Sequence, residues 1–152
     1  MAIELIARAA ILRGSRILLA HTKGAANTFL PGGHIEPGEP AREALRRELK
    51  EELGFDAEIG AFLAAVEHSF GTGPKRTHEL NLVFEASAPK IDASRDPASR
   101  EGHVEFFWGS VEDLARRNLQ PEPLRALAAQ WVKGTLPAPG WASTMEPEGW
   151  QT

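Results

Sequence analysis

Apolar residues along this chain fall into short segments separated by glycine, proline and charged turns. Ile3 to Leu12, rich in Ile, Leu and Ala, predicts a first strand that closes at the turn Arg13-Gly14-Ser15-Arg16. Ile17-Leu18-Leu19-Ala20 predicts its hairpin partner, and Phe29-Leu30 a further short strand after the small-residue loop Lys23–Asn27. Residues 31–40, with three glycines and three prolines, predict an irregular loop. Phe55 to Phe70 carries one or two strands, Gly71-Thr72-Gly73-Pro74 a turn, and the alternation of Leu80, Leu82 and Phe84 a return strand. Ala88 to Glu101 lacks periodicity and reads as a surface loop. Val104 to Trp108 predicts a last strand, with Trp108 in the core.

The clearest helix runs from Pro40 to Leu53. Leu45, Leu49 and Leu53 recur at helical spacing, proline suits a first turn, and Gly54 suits the stop. Ser110-Val111-Glu112-Asp113 resembles a capping box opening a short helix, and Pro121 to Lys133 predicts a final helix ending at Gly134. This order of elements predicts a layered α/β protein rather than a bundle or barrel. One domain over residues 1–134 is expected, followed by an irregular tail over 135–152. Trp141 and Trp150 in that tail leave docking open, on the domain itself or on a partner such as a second copy.

At 152 residues the chain is long enough for one well-buried core. Cysteine is absent, which excludes disulfides, thiolate metal sites and cysteine nucleophiles. Seventeen basic and twenty-one acidic residues give a net charge of −4, with no global field to hold nucleic acid or an anionic membrane. A polyanionic substrate therefore needs local neutralisation. The start, Met1-Ala2-Ile3-Glu4, has neither the basic region nor the apolar core of a signal peptide, so cytoplasmic residence is expected.

The helix supplies a means of neutralisation. Glu48, Glu51 and Glu52 stand at i, i+3 and i+4, within an arc of about 100° on one face, beside the leucine stripe. Carboxylates crowded at the margin of a buried stripe repel one another, and part-burial raises the cost further. A hard divalent cation such as Mg²⁺ relieves both, and keeps waters free for a phosphate substrate. The helix charges alone also fit a solvated acidic face balanced by Arg46, Arg47 and Lys50.

The wider spacing decides between them. Gly33, five residues, Glu39, seven residues, then Arg47-Glu48-Leu49-Lys50-Glu51-Glu52-Leu53-Gly54-Phe55 match the Nudix box at every fixed position. On these residues the chain resembles the Nudix hydrolases. The resemblance implies an α/β/α sandwich with a mixed central sheet, and hydrolysis of a diphosphate linkage in a small nucleotide. It implies Glu48 and Glu52 as principal ligands of Mg²⁺ or Mn²⁺, Glu51 on a further metal or water, and a backbone carbonyl near Gly33. Arg47 would orient a glutamate and Glu39 would brace the loop. The general base varies in the family; Glu48 is favoured here, with Glu101 and Glu105 as later candidates.

Weaker signals surround the box. His34, in the glycine loop, and Arg76, at the hairpin turn, are candidate substrate contacts, with loop filler and solvated turn as their ordinary readings. His68 and His78 are expected across the hairpin from each other, as ordinary strand residues rather than a metal pair. Phe29 is expected in the core. Relatives specialised for ADP-ribose or dinucleoside polyphosphates often carry a proline or tyrosine after the box; here Phe70 and Gly71 occupy that region and tyrosine is absent. A nucleoside diphosphate derivative is the first expectation. A nucleoside triphosphate is the alternative, and a non-catalytic nucleotide-sensing module the remote one.

Overall fold

Ile11 marks the point where the chain leaves one sheet for another. In the computed structural model, which describes residues 2–135 and 139–145, the expected first strand divides into β1 (Ile3–Ala10) and the two-residue β2 (Leu12–Arg13). Arg16–Thr22 forms β3, which pairs with β2 and not with β1. Alternation alone predicts that two strands exist, but not which sheet each joins.

The larger sheet has five strands in the order β4 (Gly32–His34), β1, β6 (Thr77–Ser87), β5 (Glu58–Phe70), β8 (Gly140–Ser143), and the smaller has three in the order β2, β3, β7 (Val104–Ser110). β6 lies parallel to β1 at the centre, and β5 runs antiparallel to β6 with register shifts between Ile59 and Ala64. Phe55–Phe70 thus contributes one long strand. β7 pairs antiparallel with β3 along its length.

Two segments expected to be irregular contain strands. β4 (Gly32–His34) lies within the glycine-proline loop and pairs antiparallel with β1. β8 (Gly140–Ser143) lies in the tail and pairs parallel with β5. Both pair through backbone groups that need no hydrophobic pattern. Phe29-Leu30 gives only an isolated bridge, Ala20 to Phe29. Trp150 lies outside the described residues.

Helix α1 (Ala41–Leu53) starts one residue after Pro40 and ends at Gly54, whose φ of 77° is the left-handed stop that glycine favours. Leu45, Leu49 and Leu53 are buried against Ala7, Ala9 and Phe84, each contributing about 1.5–3 kcal/mol by removal from water. Helix α2 (Leu124–Val132) starts three residues later than expected and buries Leu124, Ala128 and Trp131 against Leu19, Val66 and Val83. The capping box at 110–113 opens only a 3-10 turn; Ser110 Oγ donates to Asp113 Oδ2 rather than accepting from the Asp113 backbone N–H. Trp108 is buried, as expected. Among the described residues no helix is long and apolar enough to cross a membrane.

Candidate functional site

The site grows from the seam between α1 and the β4 edge of the larger sheet. Arg47 reaches back from the helix and donates Nε to Glu39 Oε1 at 2.8 Å and Nη2 to Glu39 Oε2 at 3.0 Å. It also donates Nη2 to the His34 carbonyl and Nη1 to Glu48 Oε1, at 3.1 and 2.9 Å. One guanidinium therefore ties loop, strand and helix together, and its Glu39 and Glu48 partners hold it firmly protonated. Glu39 in turn accepts the Glu36 N–H, and Arg47 holds its carboxyl below the usual range.

Glycine at 32 and 33 lets the carboxylates reach the sheet edge. Gly32 has a φ of 143°, and a side chain there would collide with the Ala7 carbonyl. A Cβ at Gly33 would fall within the Glu48 carboxylate. The Gly32 backbone N–H faces the Glu52 carboxylate closely enough to favour its charged form. Glu52 is only 8% exposed, and its Oε2 has no hydrogen-bond partner. Burial, with help from Glu48 and Glu101, pushes its pKa up to about 8.

An orphaned buried carboxylate oxygen beside a second carboxylate is the donor set that a hard divalent cation satisfies. Among the described residues no three acidic or histidine side chains close into a ready-made cage. Two carboxylates and a backbone edge fit Mg²⁺, which leaves its remaining positions to water and substrate phosphate. Glu51 is half-exposed and lies 3.6 Å from Arg47, further from the seam's interior than Glu48 and Glu52.

A cavity of about 420 Å³ opens on the opposite face of the sheet. Phe29, His68 and Phe70 give it ring surfaces; Asn27, Asn118 and Gln120 give it amides. His68 and Phe70 stack with ring centroids 5.3 Å apart. Arg8 lies in its wall; its backbone pairs with Gly32 in the β1–β4 register, and the charges of Glu52 and Glu48 reach its guanidinium from the other side of the sheet.

The family model for the NUDIX domain matches residues 4–132. The chain belongs to the Nudix family. It is 42% identical over 131 residues to the CTP pyrophosphohydrolase of Escherichia coli K12, covering 84% of this chain and 90% of that protein. It is 33% identical over 114 residues to the nucleoside triphosphatase NudI of E. coli O81, covering 70% and 76%. The crystal structure of a MutT Nudix hydrolase from Burkholderia pseudomallei superposes with a TM-score of 0.68 at 27% identity, over 86% of this chain and 98% of that one. The layered α+β architecture is the Nudix fold, and the protein is a hydrolase of pyrophosphate bonds.

Within this Nudix domain the predicted residues divide. Gly33, Arg47, Glu48 and Glu52 come together, and the charge of Glu101 reaches Glu52. Glu105 does not join them: it faces His21 across β3–β7, 2.8 Å away, and lines a separate cavity with Arg116 and Arg117. His34 is exposed and pairs with Glu4, while Arg76 follows the 73–75 turn; neither lines either of these two cavities. His68 and His78 project from opposite faces, because the register sets His68 against Glu79 and Ser69 against His78. His78 bonds Glu67 instead, at 2.9 Å. Phe29 is half-buried against the core and also lines the cavity. Arg8, Asn118 and Gln120 were not among the sequence candidates. Arg8 alone left a trace there, as a charge in the middle of an apolar strand.

Proposed function

We propose that this chain hydrolyses a nucleoside triphosphate to the monophosphate and pyrophosphate, using Mg²⁺ or Mn²⁺. The carrying observation is that Arg8 lines a ring-lined, amide-bearing cavity suited to a nucleobase while feeling the charges of Glu52 and Glu48, the carboxylates suited to a metal-bound phosphate chain. The similarity to a CTP pyrophosphohydrolase and a nucleoside triphosphatase favours the triphosphate over the diphosphate derivative that the sequence alone put first. A free nucleotide suits a chain of net charge −4, which has no global field to hold a polynucleotide.

Glu48 and Glu52 would hold the cation, with the Gly33 backbone beside them and Glu51 toward solvent. A cation held there would supply charge neutralisation for the phosphates, polarisation of their oxygens and a more acidic water. Arg47 donates to Glu48 Oε1 and fixes its position, which suits a ligand better than a base. Glu101 is the better-supported base: its charge reaches Glu52, and its described ion pair is a 3.5 Å contact with His103. Water oxygen forms a bond to phosphorus, the anhydride P–O bond breaks, and Glu101 takes the proton.

The test is product analysis of the four ribonucleoside triphosphates and ADP-ribose, with Mg²⁺ and with EDTA. Equal amounts of monophosphate and pyrophosphate from a triphosphate, only with metal, are expected. Cleavage of ADP-ribose alone, or release of orthophosphate, overturns the reading.

A further inference from the structure

Arg8 is half-buried in the middle of β1, among apolar neighbours, and every described partner it has is neutral. Nε donates to Asn81 Oδ1 at 3.2 Å, and Nη1 to the Leu30 carbonyl at 3.1 Å. Its guanidinium carbon lies 5.1 Å from the centre of the Phe29 ring. No carboxylate of the described residues comes within the 4.0 Å of an ion pair. Glu79, whose charge acts on Arg8 most strongly, accepts from Asn81 Nδ2 instead.

Such an arrangement is costly unless an anion completes it. A guanidinium drawn out of water without a paired charge is strongly disfavoured, and burial lowers the Arg8 pKa accordingly. The cost is incurred with care: Asn81 is fully buried, donates also to the Val66 carbonyl, and holds Arg8 in one orientation. The remaining N–H groups, all those of Nη2 among them, have no acceptor among the described residues, and the side chain lines the cavity. The charges of Glu52 and Glu48 also reach Arg8, so a phosphate chain leading from the base cavity toward those carboxylates would meet its guanidinium.

We propose that Arg8 binds the phosphate next to the ribose, as the fixed cation that complements this substrate anion independently of any metal. The assignment rests on the cavity holding a nucleoside, as in the proposed function, and adds the residue that recognises its first phosphate. Phe29 stacks on the guanidinium and Asn81 positions it.

The direct test is equilibrium binding, in EDTA, of CMP, UMP, AMP and GMP against their nucleosides. At least one monophosphate is expected to bind the wild-type chain about tenfold tighter than its nucleoside, a typical margin for a charge-assisted contact. Arg8→Met should abolish that preference while leaving nucleoside affinity nearly unchanged, and Arg8→Lys should keep part of it. Asn81→Ala, which leaves Arg8 in place but unoriented, should reduce it less than Arg8→Met. A preference retained by folded Arg8→Met overturns the assignment, and so does a wild-type chain that binds no monophosphate better than its nucleoside. If Arg8→Met does not fold, Arg8→Lys and Asn81→Ala decide by the same ratio. The two readings fail separately. Triphosphate hydrolysis without a monophosphate preference removes only the role of Arg8; an Arg8-dependent preference without hydrolysis removes only the proposed activity.

Discussion

Arg47 holds Glu39 through two parallel hydrogen bonds, Nε to Oε1 and Nη2 to Oε2, and so joins the helix to the loop that precedes it. Lysine can supply the charge but not the fork. Arg47→Lys is therefore expected to lower kcat/KM by roughly 10- to 100-fold through a loosened Glu48, with a modest loss of melting temperature. Steady-state kinetics beside a thermal melt check this; unchanged kcat/KM would mean that Glu48 needs no such support.

Glu52 is the carboxylate with an orphaned oxygen. Glu52→Gln should reduce turnover by orders of magnitude, and the rise in melting temperature expected for the wild type with Mg²⁺ should be absent in the variant. In EDTA at about pH 8.5, where the native carboxyl is largely ionised, the variant should melt no lower than the wild type. A variant that keeps its Mg²⁺-induced shift would place the cation elsewhere.

Gly33 should tolerate no side chain. A methyl group there enters the space of the Glu48 carboxylate, so Gly33→Ala is expected to cost about 1–3 kcal/mol of stability or displace Glu48 and cut turnover at least tenfold. Denaturant melts and kinetics together distinguish the two responses, and neither change would contradict the described packing.

His21 makes hydrogen bonds from both ring nitrogens, 2.8 Å to the Ala25 carbonyl and 2.8 Å to Glu105. Both acceptors call for the doubly protonated ring, and the Ala25 carbonyl followed by Glu105 raises its pKa. A raised folded pKa adds stability that is fully present below the unfolded value of about 6.5 and is lost as pH rises through the folded value. The melting temperature of the wild type should exceed that of His21→Gln most at pH below about 6.5, and the difference should shrink as pH rises above that. A constant difference across that range would show that protonation is not involved.

Helix α1 was legible because three signals agreed: the Leu45, Leu49 and Leu53 stripe, Pro40 at the entry and Gly54 at the stop. The box residues were legible through their spacing, which local geometry then accounts for: glycines where carboxylates need space, arginine where two acids need holding. The partners of strands were not. β1 and β3 have similar apolar patterns, and nothing in either pattern assigns them to different sheets. β4 is Gly-Gly-His and pairs by backbone alone, so it has no periodicity to detect. Arg8 needed the register, since only the pairing with Gly32 shows what a charged residue in that strand adjoins.

The parallel pairing of β8 with Ala64–Glu67 also orders events in time. During synthesis, β5 and β6 leave the ribosome long before residues 140–143, so the outer edge of β5 waits without its neighbour. Thr144 supplies a hydroxyl to His68 Nδ1 and Ser143 one to Glu67, so this late strand also fixes one wall of the cavity. The nascent chain therefore completes this ring-lined cavity only after α2 has been made, and a truncated product would carry both an open strand edge and an unfinished cavity wall.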